Sequence, residues 1–72
     1  DSPLDEAKNA VCEQLLVYMQ NEKMTQRELA KVLGAPESRV SEILRYRIEK
    51  FTLDRLIAYL QIVKPTLNVR VA

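Results

Sequence analysis

Glycine is almost absent from this sequence, and this restricts the folds that the chain can adopt. Gly34 is the only glycine among the 72 residues. Hairpin turns depend on backbone conformations with positive φ, which glycine adopts without steric cost, so a chain with one glycine is a poor candidate for a β fold rich in tight turns. The sequence therefore predicts an all-α domain. A domain of this length buries only a modest core, which favours association with a partner chain.

Local start and stop signals divide the first half of the chain into two helices. The segment Ser2-Pro3-Leu4-Asp5 combines a capping hydroxyl, a proline at the first helical position and a carboxylate in the first turn. It predicts a first helix that runs to about Gln20. Thr25 and Glu28 have the spacing of a capping box and predict the start of a short second helix. Gly34 is expected to end that helix in a left-handed conformation.

Two more helices are predicted in the second half. A third helix follows Pro36, and one of its faces combines three apolar residues with one arginine: Val40, Ile43, Leu44 and Arg47. Thr52 is expected to cap a fourth helix, which Pro65 ends. The fourth helix carries a regular apolar stripe that comprises Leu53, Leu56, Ile57, Leu60 and Val63.

Residues 66–71 are predicted to form a short β-strand, because apolar and polar residues alternate there. No other segment resembles a strand, so its hydrogen-bond partners have to come from another chain. Antiparallel pairing with the same segment of a second copy is self-complementary and predicts a two-fold homodimer. The predicted interface comprises Tyr59, Val63, Leu67, Val69 and Val71. The alternatives are a frayed tail and one strand of a longer hairpin.

Between residues 25 and 46 the spacing is typical of a helix-turn-helix. Ala30 is followed by Gly34 after four positions, and a small residue there lets two helices cross closely before the turn. Val40 and Ile43 follow six and nine positions after the glycine and can anchor the second helix of the motif. A short helical hairpin without a DNA function is the alternative. The helix caps and the apolar anchors all occur at the spacing of the motif, and this agreement favours DNA binding.

At these residues the chain resembles the XRE family of phage repressor and Cro proteins. The resemblance rests on Thr25-Gln26-Arg27-Glu28-Leu29-Ala30, on Gly34 and on Arg39-Val40-Ser41-Glu42-Ile43-Leu44. Residues 51–56 and 67–71 resemble the branch of HigA-type antitoxins and their stand-alone regulator relatives. The resemblance implies a lambda-repressor-like bundle of four to five helices and a transcriptional regulator that binds a palindromic operator in double-stranded DNA as a homodimer. In the antitoxin alternative it also implies a small toxin protein as a partner.

The chain departs from the family pattern at three positions. Relatives often have Ser or Thr where Pro36 stands and a glycine near Tyr46, so the start and the exit of the third helix are expected to differ here. Glu37 occupies a position where relatives tend to have a neutral base reader. A glutamate can accept a hydrogen bond from cytosine, or it can repel phosphate.

The family geometry places the start and the exposed face of the third helix in the major groove. The residues expected to contact bases are Glu37, Ser38, Arg39 and Glu42. Arg39 can hold guanine through two hydrogen bonds, and an ion pair with Glu42 is the alternative. The residues expected to contact phosphates are Gln26, Arg45, Arg47 and Lys50.

The charges are unevenly distributed, although the net charge is only +1. Residues 1–22 carry five acidic residues and one lysine, whereas residues 23–50 carry seven basic and four acidic residues. This uneven distribution of charge would orient the basic middle of the chain toward a polyanion. The alternative is a solvated surface of mixed charge, which explains the distribution equally well.

Enzyme chemistry is not predicted. Without histidine, and with Cys12 as the only cysteine, the chain offers neither a zinc site nor a Cys–His nucleophile, and no cofactor is expected. Cys12 is expected to be a small buried hydrophobe. No apolar run is long enough to span a membrane, and no secretory signal is expected. A lone cysteine cannot form an internal disulfide, so we expect a protein of the reducing cytoplasm.

Overall fold

Four α-helices and one short 3₁₀ helix make up the part of the chain that the structure describes, residues 2–64 of a computed structural model. The helices are α1 (Pro3–Asn21), α2 (Gln26–Leu33), α3 (Glu37–Leu44) and α4 (Leu53–Val63), and the 3₁₀ helix (Ile48–Lys50) connects α3 to α4. No strand occurs within residues 2–64, so the all-α prediction is confirmed for them. The strand predicted at 66–71, with Leu67, Val69 and Val71, lies outside the described residues.

Three of the four helices begin at a side-chain cap. Ser2 Oγ accepts a hydrogen bond of 3.0 Å from the Asp5 backbone N–H at the start of α1. At α2 the capping box is complete, because Thr25 Oγ1 accepts from the Glu28 N–H at 3.1 Å and Glu28 Oε1 accepts from the Thr25 N–H at 2.8 Å. At α4, Thr52 Oγ1 accepts a hydrogen bond of 3.1 Å from the Arg55 N–H. These bonds satisfy N–H groups that lack a partner within the helix, so they determine where each helix begins.

The start of α3 differs from the others. Pro36 occupies the capping position and provides no side-chain hydrogen bond. Its ring restricts φ, here −62°, so it directs the chain into the helix through backbone geometry alone. The departure noted at Pro36 in the sequence therefore changes how α3 begins.

Two groups of buried side chains form the core. The first lies between α1 and α4 and comprises Val11, Cys12, Leu15, Ile43, Phe51, Leu56 and Leu60. The second lies between α2 and α3 and comprises Leu29, Ala30, Leu33 and Val40. Tyr59 and Val63 pack against both groups, so they contribute to the core of their own chain. Their predicted place in a dimer interface stays a prediction.

The two apolar anchors of α3 belong to different parts of this core. Val40 packs between α2 and α3, whereas Ile43 packs between α1 and α4, and both are fully buried. The orientation of α3 is therefore determined by two independent contacts. Because both anchors are buried, α3 cannot rotate about its axis, and the same residues of α3 always face the solvent.

Long-range hydrogen bonds attach α1 to the second half of the chain. Lys8 Nζ donates to the Ile48 carbonyl oxygen at 3.4 Å, and Lys64 Nζ donates to Gln14 Oε1 at 2.7 Å. The first bond holds the 3₁₀ helix against α1. The segment between α3 and α4 is thereby fixed in place.

Two sequence-based expectations are settled by these helices. Arg47 does not lie on α3, contrary to the predicted face, because α3 ends at Leu44 and Arg47 precedes the 3₁₀ helix. Cys12 is fully buried, as expected of a small hydrophobe, and burial raises the pKa of its thiol.

None of the helices within residues 2–64 has the length and apolar character to cross a membrane.

Candidate nucleic-acid interface

The connection between α2 and α3 determines how these two helices are paired. Gly34 ends α2 with φ of 68°, and the Ala35 N–H bonds to the Ala30 carbonyl oxygen at 3.0 Å. Ala30 itself is buried where the two helices meet. Because a larger side chain would separate the helices here, the small residue keeps them in close contact. The turn therefore orients α3 as the second helix of a tight helical pair.

The exposed side of α3 is polar. Glu37 and Ser38 at its first turn are exposed, as is Arg45 at its end. Glu42 is half-buried between them. A helix held by Val40 and Ile43 on one side and polar on the other has the dimensions to enter a DNA major groove.

Arg39 is held by two contacts at the edge of this polar side. Its Nη1 lies 2.9 Å from Glu42 Oε1, and its guanidinium carbon lies 5.8 Å from the centre of the Phe51 ring. The ion pair that the sequence left as an alternative is thus present. The Arg39 side chain remains 48% exposed, and a guanidinium carries five N–H donors. The contacts therefore restrain the arginine and leave N–H groups available for a ligand.

A cationic groove lies beside Arg39, where the start of α3 meets the start of α4. Its volume is about 410 Å³, and it is lined by Pro36, Arg39, Lys50, Phe51, Thr52, Arg55 and Tyr59. Three of these residues are basic and none is acidic. In the absence of a lining carboxylate, the groove is suited to an anion such as a phosphate group.

The comparison with protein families now identifies the domain. Residues 4–72 match the family described as a helix-turn-helix domain. The chain belongs to this family. No curated protein and no solved structure matches the chain significantly. A helix-turn-helix domain is typical of DNA-binding regulators, so duplex DNA is the partner that the family indicates. The match does not distinguish the HigA-type branch from other relatives.

The residues predicted to contact DNA occupy three places on the helix-turn-helix domain. Glu37, Ser38, Arg39 and Glu42 all lie on α3, and Lys50 joins Arg39 in the cationic groove. Arg45 and Arg47 lie at the exit of α3 and are exposed. Arg47 Nε lies 3.8 Å from Glu49 Oε2, which is a long distance for an ion pair on the surface. Gln26 lies apart from the groove, at the first position of α2.

Arg55 and Thr52 also line the groove, and neither is among the residues predicted from the sequence to contact DNA. A signal was available for Arg55, because it lies in the first turn of α4, where the helix dipole disfavours a positive charge. A bound anion beside Arg55 would offset this unfavourable interaction with the helix dipole, which is a reason to expect an anion there. Thr52 was recognised only as a helix cap.

Proposed function

We propose that this helix-turn-helix domain is a sequence-specific transcriptional regulator that binds a palindromic operator as a dimer, with α3 in the major groove. One observation carries the proposal: a polar, exposed α3 lies directly beside a groove whose charged lining residues are all basic. A major groove presents base edges between two phosphate chains, so a reader needs a polar helix with cations at its side.

Base recognition is assigned to the four residues of α3. Arg39 would hold guanine, because its ion pair with Glu42 and its position over Phe51 limit the rotamers that have to be fixed on binding. Glu37 would accept a hydrogen bond from the amino group of cytosine. Ser38 contributes a hydroxyl that can donate or accept.

Phosphate contacts would flank α3 on both sides. Lys50 and Arg55 in the groove face one part of the backbone, and Arg45 and Arg47 at the exit of α3 face another. Gln26 at the first position of α2 would bind a further phosphate through its side chain and the free N–H groups there. The antitoxin role and its toxin partner remain predictions of the resemblance alone.

Salt dependence tests the DNA-binding function itself. We expect the affinity for an operator selected from a random-sequence library to fall by about a thousandfold or more between roughly 50 and 200 mM salt, because a dimer with several cations per subunit releases many counterions. Fluorescence anisotropy across ionic strengths measures this slope. A flat response, or failure to select any DNA at low salt, would exclude the proposed function.

The contrast between Arg39 and Arg45 tests the division between base and phosphate contacts. Arg39→Ala is expected to weaken operator binding by about 1–3 kcal/mol and to change binding to random DNA little, whereas Arg45→Ala weakens both alike. Binding of each variant to the selected operator and to a scrambled duplex measures the contrast. Equal losses on both duplexes for Arg39→Ala would assign Arg39 to the backbone or to its pair with Glu42.

A further inference from the structure

The exit of α3 has a backbone conformation that its residue disfavours. Tyr46 has φ of 58°, in the left-handed region. Its N–H bonds to the Ile43 carbonyl oxygen and the Arg47 N–H bonds to that of Glu42, both at 3.0 Å. This pair of bonds satisfies carbonyl groups at the end of a helix, and glycine is the usual residue at its left-handed position. Tyrosine there brings its Cβ close to the following carbonyl group.

The same ending occurs at two other helices of the chain, which gives an internal comparison. Gly34 ends α2 with φ of 68°, and Lys23 follows α1 with φ of 55°. Each has the equivalent pair of backbone bonds. The ending therefore does not require a tyrosine, and glycine performs the same backbone role in this chain at position 34.

The Tyr46 side chain is partly open to solvent. It belongs to neither buried group, and the residue is 38% exposed. Its hydroxyl makes no hydrogen bond within residues 2–64. In the sequence, Tyr46 lies between two exposed arginines, Arg45 and Arg47.

We propose that Tyr46 is a DNA-contacting residue at the exit of α3. Its ring packs against the sugar of the DNA backbone, and its hydroxyl donates a hydrogen bond to a phosphate oxygen next to those bound by Arg45 and Arg47. Tyrosine is among the side chains that make such contacts, and a bond to a charged phosphate is stronger than one between neutral groups. This inference rests on the proposed function, since it needs α3 to lie on duplex DNA.

Three variants separate the ring, the hydroxyl and the backbone strain. Tyr46→Gly removes ring and strain together, Tyr46→Phe removes only the hydroxyl, and Lys23→Gly relieves the equivalent strain at the end of α1. Thermal unfolding and binding to a random-sequence duplex of about 30 base pairs at low salt are measured for each. The random duplex suffices because a backbone contact does not depend on sequence.

We expect Tyr46→Gly to melt within a few degrees of the wild type, because relief of the left-handed strain offsets the loss of a partly buried ring, whereas Lys23→Gly is expected to melt at or above the wild-type temperature. The DNA affinity of Tyr46→Gly is nevertheless expected to fall at least about tenfold, and Tyr46→Phe loses about tenfold through the hydroxyl alone. The salt slope should stay that of the wild type, because tyrosine carries no charge, whereas Arg45→Ala lowers it by about one.

Two results would overturn the inference while leaving the proposed function intact. One is a Tyr46→Gly domain that binds duplex DNA as tightly as the wild type. The other is a Tyr46→Gly domain that both melts well below the wild type and binds more weakly, because a loosened exit of α3 would then explain the loss. If the wild type itself does not bind duplex DNA, the proposed function fails and the inference fails with it.

Discussion

Ile43→Ala is expected to destabilise the domain by about 2–5 kcal/mol, which is a large share of the free energy of unfolding of a small domain. Ile43 is fully buried, and it is the residue of α3 that packs between α1 and α4. Alanine would leave a cavity at the point where α3 is attached to the larger part of the core. Urea denaturation followed by far-ultraviolet circular dichroism measures the change in the free energy of unfolding.

Ile62→Ala provides the matched control, because it makes the same substitution in α4 at a residue that is 48% exposed. We expect it to cost roughly 0.5 kcal/mol or less, as surface substitutions usually do. Equal losses for the two variants would contradict the core described above. A large loss for Ile62→Ala that depends on protein concentration would instead place Ile62 in a dimer contact.

Deletion of residues 66–72 is expected to convert a dimer into a monomer and to lower operator affinity by roughly 10²–10⁴-fold. A two-fold dimer would present two copies of α3 to successive major grooves about 34 Å apart. Once one subunit is bound, the other is held near its half-site at a high effective concentration, and the deletion removes this advantage. Light scattering measures the mass, and binding to the selected operator measures the loss.

A single half-site is the control for this deletion. The truncated chain should bind it about as well as the full chain does, because residues 2–64 contain every residue assigned to DNA contact. A truncated chain that stays dimeric, or a full chain that is monomeric at high micromolar concentration, would contradict the predicted strand pairing of Leu67, Val69 and Val71.

Local signals in the sequence were sufficient for most helix boundaries. Thr25 and Glu28 form the predicted capping box, and Thr52 caps α4 as expected. Gly34 ends α2 in the predicted left-handed conformation. Each of these interactions joins residues three or four positions apart, so the identity of the residues and their spacing is enough to predict them.

The helix-turn-helix was also predictable, because its geometry is encoded within the single short segment 25–46. Ala30, Val40 and Ile43 are buried as their spacing predicts, and the family match supports the motif. The separation of Val40 and Ile43 into two parts of the core was not predicted. It depends on where α1 and α4 lie, and helical periodicity describes only which face of a helix is apolar.

The tertiary structure alone decided the surroundings of Arg39. Sequence spacing suggested the pair with Glu42, because those residues are one helical turn apart, but it gave no indication that Phe51 lies under the guanidinium. The cationic groove likewise joins Pro36, which precedes α3, to Arg55 and Tyr59 on α4. Contacts between residues so far apart in the chain result from the way in which α3 and α4 each pack against α1 and α2, and no local pattern in the sequence specifies that packing.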